Sequence, residues 1–495
     1  MKAHMRRMEK SFAFWFLVVM SLSFFFLRLP SLFEPYWYGD EGIYQTIALA
    51  LTKGHTLYAQ IWDNKPPLLY YTYATLGGNQ FALRFLSLSV GVTTVIMFFW
   101  LAVRLFQEKN AAIISTIMFT VLFGIPTFEG NIANAENFML LFAIAAGYLV
   151  YLATEKAERQ KHLLLAGTFL GIAFLYKIVG IFDFAAFLVF FLIASLPSVI
   201  SLNSLSRALH ASWKHLTFII GGFLFPFLLS LLYFLFNGAL GDYMKATFLS
   251  TFGYVGHNNV FLIPQGLLIA KLLLLLGVVT GVLIKRKTLP KPIIFILLWA
   301  AFSLFNSYFS QRPYTHYLLV LVPSFSLVVG LLFYSKTRYK YLLAGALVIT
   351  SILLLSFFSH WSLTKTVGYY TNFVSFLTGQ KSLQTYESFF DRRTPRDSKV
   401  VNFIRDNSIG EPSMFMWGNT AQLYYQTGTL PPTRFTVAYH MRGNMQYEEE
   451  VAKSLQKNPP QFIVITDDMS SFPFSLSNYS HSLTIDGVDI YERTY

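Results

Sequence analysis

Apolar residues run along this chain in long blocks separated by short polar connections. Eleven such blocks stand out, at about 11–29, 80–104, 111–128, 137–154, 163–177, 179–200, 215–236, 265–284, 292–310, 317–335 and 341–358. Uninterrupted apolar runs of about 17 or more residues are long enough as helices to cross a bilayer. From about His360 the pattern changes and short periodic segments replace the blocks. Arg396–Asn407, Thr420–Thr427 and Gln446–Lys457 read as helices. Ser413–Trp417 and Gln461–Thr466 read as strands. Leu483–Glu492 reads as a hairpin turning at Asp486-Gly487. The expected architecture is therefore a mainly α membrane domain of about 11 transmembrane helices over 1–359. A small α/β domain over 360–495 follows it.

Composition agrees. The 495 residues are 54% hydrophobic and only 13% charged, whereas a soluble chain carries about 25% charged residues. There is no cysteine, which excludes disulfides, thiolate metal sites and cysteine nucleophiles. A net charge of +13 invites a nucleic-acid reading in a soluble protein. Here the cations sit between the apolar blocks, so they speak of topology and not of nucleic acid. If the N-terminus is cytoplasmic, the inner connections hold most of the Lys and Arg. The outer connections before the tail hold only Lys53, Lys65, Lys177, Lys245 and Arg312. This is the positive-inside pattern. It predicts a multi-pass protein of the cell membrane, with 11–29 as a retained signal anchor and the C-terminal domain outside.

The few outer cations go against the topological bias, and Lys65, Lys177 and Arg312 also lie near block boundaries, where charge is costly and usually functional. The longest outer connection, 30–79, holds most of the candidate chemistry. Ile43, Ile47, Ala50 and Leu51 recur at helical spacing, which predicts a helix over Gly42–Thr52 on the membrane surface, ended by Gly54. Asp40 then stands at the helix start, as an N-cap, as a general base for a hydroxyl, or as both. Glu41 beside it is expected to tune or orient. Pro66 forces Lys65 into an extended conformation, and the Pro66-Pro67 pair opens a following helix. That fixes an ammonium beside the membrane, suited to a phosphate. Tyr70, Tyr71 and Tyr73 are candidates for lining a sugar site. Glu129 and Glu136 fall in the outer connection between the third and fourth blocks, as acceptor-orienting groups or metal ligands. Asp183 is a candidate partner for Lys177, and His257 a candidate loop contact. His316 follows Arg312 by four residues, so a helix there would place both on one face.

The order of these features resembles the GT-C superfamily of membrane glycosyltransferases. It is most similar to the bacterial relatives of protein O-mannosyltransferases and of the lipid A aminoarabinose transferase. The resemblance is carried by Asp40-Glu41 after the first block and by Lys65-Pro66-Pro67 before an aromatic stretch. Further matches are Ala82-Leu83-Arg84, Asn134-Ala135-Glu136, Tyr176-Lys177, Arg312–Tyr317 followed by Pro323, Trp417-Gly418 and Pro431–Arg434. It implies a sugar donor on a polyprenyl phosphate and an acceptor hydroxyl on a glycan, lipid or protein. The reaction would run with inversion at the outer face of the membrane. Asp40 matches the base position. Lys65, Lys177, Arg312 and His316 become candidates for the donor phosphate. Arg84 either joins them or anchors its helix. No cofactor is required by the motifs. A divalent metal stays open, because Asp40, Glu41, Glu129, Glu136 and His316 could supply ligands but show no ligand spacing. The rival reading is a transporter or flippase of lipid-linked sugars. It lacks the inverted repeat and paired broken helices common in that class.

Overall fold

The computed structural model describes residues 2–155, 159–196, 202–251, 255, 259–357 and 363–494. Each of the eleven apolar blocks contains a helix. Six helices are long and apolar enough to cross a membrane, among them Gln80–Phe106, Ala135–Ala153 and Gly266–Lys285, and four shorter apolar helices accompany them. The chain is a multi-pass membrane protein. His257 lies outside the described residues.

The residues fall into two compact units. The first holds residues 1–29, 86–231 and 252–366 and is helical throughout its described part. Its helices pack through aromatic contacts and close backbone crossings. Phe295 stacks on Phe187 at 5.4 Å and meets Phe190 edge-on at 4.9 Å. Gly167 and Gly222 face each other's helix so closely that a β-carbon on either would strike the opposite backbone. Small residues permit such crossings where lipid supplies no hydrophobic drive between helices.

The second unit joins residues 30–85, 232–251 and 367–495. The connection after the first apolar helix and the tail therefore fold together. The sheet has the order β1-β2-β4-β3, with β1 (Met414–Trp417), β2 (Phe462–Ile465), β3 (Tyr479–Ile485) and β4 (Val488–Arg493). β1 and β2 run parallel, and β4 pairs antiparallel with both β2 and β3. Every residue of β1 and β2 is buried, as expected for apolar strands covered on both faces. Asp486 (φ 45°) and Gly487 (φ 83°) make the hairpin turn, with the two positive φ angles that a tight hairpin requires.

The helix expected over Gly42–Thr52 runs from Gly39 to Thr52 and is a core element of this unit. Glu41 through Ala48 and Ala50 are buried. Gly42 abuts helix Gln422–Thr427 so closely that a β-carbon would come within 2.6 Å of the Gln422 backbone nitrogen. Thr46 donates to the Ala421 carbonyl at 3.0 Å, and Gln45 to the Gly78 carbonyl at 3.1 Å. The spacing of its isoleucines marks a buried face, but the partner comes from 375 residues away. That partner covers the side that the local pattern leaves for water.

Candidate active site

The second unit contains a charged constellation built on its central helix. Asp40 is not the N-cap; Tyr38 holds that position, with no side-chain capping bond. Asp40 lies inside the first helical turn, where the helix dipole favours a carboxylate. Its side chain is about one-third exposed (32%), and its Oδ2 lies 3.2 Å from Lys65 Nζ. The Tyr44 hydroxyl, one turn on, donates to the same oxygen at 3.0 Å. Burial, and then the Asp40 charge, push the Tyr44 phenol well above its ordinary range, so it stays a neutral donor.

Lys65 is held from both sides. Its carbonyl accepts from the Tyr58 hydroxyl at 2.8 Å, and its N–H donates to the Tyr70 hydroxyl at 3.2 Å. Pro66, extended at φ −61° and ψ 160°, caps helix Pro67–Thr75, as the proline pair predicts. The ammonium sits 4.9 Å from the centre of the Tyr44 ring, which adds a cation–π attraction. Its other neighbour is Asp63, at 3.9 Å. Asp63 is buried and accepts from the Tyr70 hydroxyl at 2.7 Å and from the Asn64 N–H at 2.7 Å. His440 of the tail brings Nε2 to 3.4 Å from Asp63 Oδ1. Burial alone would push the Asp63 carboxyl up. Lys65, His440 and the Tyr70 hydroxyl outweigh it and hold the carboxyl well below its usual range. Asp63 thus stays ionised and helps to fix the Lys65 ammonium.

Glu41, adjacent in sequence, has a different job. It is buried and receives the Arg84 guanidinium on both carboxylate oxygens, at 3.2 and 2.5 Å. Arg84 also meets Glu34 at 2.9 Å and donates to the Ser31 carbonyl at 2.8 Å. Arg84 is fully buried between these two carboxylates, an arrangement suited to the anchoring alternative. Tyr70 and Tyr73 are buried as well, and the Tyr70 hydroxyl donates to Asp63.

In the first unit the remaining candidates form two groups. Lys177 breaks the helix that ends at Tyr176, and its ammonium pairs with Glu136, in the first turn of helix Ala135–Ala153. It also lies 4.5 Å from the centre of the Tyr317 ring. Asp183 does not pair with Lys177; it accepts from Trp299 Nε1 at 2.8 Å. Glu129, in a left-handed turn at φ 57°, accepts from the Thr315 hydroxyl and lies 3.1 Å from His316 Nδ1. Arg312 is not on a helix with His316. The backbone is irregular through Tyr314, and a 3-10 turn begins at Thr315. Among the described residues, no three His, Asp or Glu side chains come together as a metal-holding group.

Sequence reasoning left Tyr44, Tyr58, Glu34 and His440 without a role. The run Asp63-Asn64-Lys65 carried a local hint for Asp63. Nothing local marks His440, which reaches the loop only through the fold.

The family model described as dolichyl-phosphate-mannose-protein mannosyltransferase matches residues 54–239. That stretch includes Lys65, Arg84, Glu136 and Lys177. Over nearly the whole chain the structure is similar to ArnT from Cupriavidus metallidurans bound to undecaprenyl phosphate. The identity is 13%, with 97% of this chain and 98% of that one covered, at a TM-score of 0.56. The chain has the GT-C fold. The Archaeoglobus fulgidus oligosaccharyltransferase in its apo form is also similar, at 13% identity and a TM-score of 0.50, with 92% of this chain and 70% of that one covered. No curated relative matches the chain in sequence. In this fold Asp40, after the first apolar helix, and Lys65, before the proline pair, meet.

Proposed function

We propose that the protein transfers a sugar from a polyprenyl-phosphate donor to an acceptor hydroxyl at the outer face of the cell membrane, with inversion at the anomeric carbon. The observation that carries this is the pairing of a part-exposed carboxylate, Asp40, with a clamped ammonium, Lys65, at 3.2 Å. The solved ArnT neighbour, bound to undecaprenyl phosphate, supports the donor class, and the mannosyltransferase family match supports glycosyl transfer.

In this mechanism the acceptor O–H gives its proton to Asp40 as its oxygen attacks the anomeric carbon. The bond from that carbon to the phosphate oxygen breaks, and its electron pair leaves with the lipid phosphate. Lys65 offsets the charge that gathers there. Before substrate binds, Lys65 and Asp40 neutralise each other. An ion pair this open to water is weak, so an arriving phosphate competes for the ammonium and releases the carboxylate to act as a base. The buried Asp63 keeps the lysine in place through that exchange. Glu41 acts on Asp40 by holding the helix turn that carries both. Lys177, Arg312 and His316 keep, within the same proposal, the donor-phosphate role that the resemblance implies, with Glu129 and Glu136 as their carboxylate partners or as acceptor-orienting groups.

The test is a transfer assay with purified protein and a defined polyprenyl-phosphate sugar. Wild type should form product, while Asp40→Asn and Lys65→Ala should not approach its rate. Full activity in Asp40→Asn would remove the proposed base.

A further inference from the structure

A cleft lies at the C-terminal end of the helix that carries Asp40. It has a volume of about 380 Å³, and its lining includes Thr52, His55, Thr56, Tyr71, Tyr233 and Asn237. At 1.5 Å per residue, Thr52 stands about 18 Å along the helix from Asp40. The cleft is therefore separate from the Asp40–Lys65 pair.

Its lining has a definite chemistry. No Asp, Glu, Lys or Arg contributes to it. Lys53, in the same turn, is engaged elsewhere and donates to the Gly428 carbonyl at 3.0 Å. The Tyr71 and Tyr233 hydroxyls are bonded at 3.0 Å, with their rings edge to face at 5.7 Å. Four hydroxyl-bearing side chains (Thr52, Thr56, Tyr71 and Tyr233), an amide, an imidazole and aromatic faces thus border one space. His55 Nδ1 is buried and has no hydrogen-bond partner. A phosphate finds no cation here. A neutral ring with hydroxyl edges and C–H faces finds both kinds of partner. Tyr233 closes the apolar helix Trp213–Phe236, so the cleft opens where that helix leaves its apolar run.

We propose that this cleft binds a neutral saccharide. On the glycosyl-transfer reading above, it holds a sugar of the acceptor that lies beyond the reacting hydroxyl. The recognition itself does not require that reading.

Saturation-transfer NMR on the full chain in nanodiscs, with a neutral hexose trisaccharide as probe and glycerol as competitor, tests it. Wild type and Asp40→Asn should both transfer saturation to the trisaccharide. The double variant Tyr71→Phe, Asn237→Ala removes two polar groups and should weaken binding about tenfold, with thermal stability unchanged. Absence of binding to wild type, equal binding to the double variant, or displacement by glycerol as readily as by trisaccharide would overturn the assignment. Trisaccharide binding without any sugar transfer would sustain the cleft and sink the transferase reading alone.

Discussion

Asp40 and Glu41 are neighbours in sequence, yet their substitutions should have opposite consequences. Asp40→Asn removes a proton acceptor whose ionic partner Lys65 is 3.2 Å away, with both side chains part-exposed (21% and 32%). Such a pair contributes at most about 1 kcal/mol to stability, and Asp63 remains 3.9 Å from the lysine. Unfolding should therefore barely shift. Loss of general-base assistance costs roughly 100- to 10,000-fold in rate, or about 2.7–5.4 kcal/mol of barrier. Glu41→Gln does the reverse. It takes one of two carboxylates from a fully buried arginine, and breaking a buried pair costs about 3–5 kcal/mol, less here because Glu34 stays at 2.9 Å. Transfer rate and thermal unfolding, measured on the same nanodisc preparations, separate the two. Asp40→Asn should be stable and slow, and Glu41→Gln unstable. If Asp40→Asn proved as unstable as Glu41→Gln, or kept the wild-type rate, the division of labour would be wrong.

Three more outcomes follow. Lys65→Ala should raise the donor KM or lower kcat by about 10- to 1,000-fold, read from initial rates over a donor series; unchanged kinetics would take Lys65 out of the site. The folded-state pKa of Asp63 is depressed, so its stabilisation is complete above the unfolded value of about 3.9 and is lost as pH falls below it. Thermal scans should show Asp63→Asn less stable than wild type at neutral pH, with the gap narrowing below about pH 4; a gap that widens with acid would contradict the assignment. Lys177→Met leaves the buried Glu136 carboxylate without its counter-charge, so it should destabilise by about 3–5 kcal/mol. The double variant with Glu136→Gln should recover much of the loss, measured as a double-mutant cycle.

Where the sequence was informative, the signal was local. The apolar blocks located the helices because length and hydropathy alone decide them. Asp486-Gly487 located the hairpin because two positive φ angles demand such residues. Pro66-Pro67 located the start of a helix, which begins at Pro67. What stayed hidden depends on distant contacts. The isoleucines of helix Gly39–Thr52 do not reveal that residues near 422 cover its other side. Arg84 gives no sign that two carboxylates already hold it, and His440 gives none that it faces Asp63. Asp40 at a helix start looks like a cap until the structure begins the helix one residue earlier.

The most direct test of the central claim is transfer by the purified wild-type protein in nanodiscs, supplied with a labelled polyprenyl-phosphate sugar and an acceptor extract from the cell envelope. The account predicts labelled sugar covalently attached to acceptor, with one lipid phosphate released for each sugar transferred. Movement of the intact lipid-linked sugar across the bilayer, with no transfer and no released lipid phosphate, would contradict it.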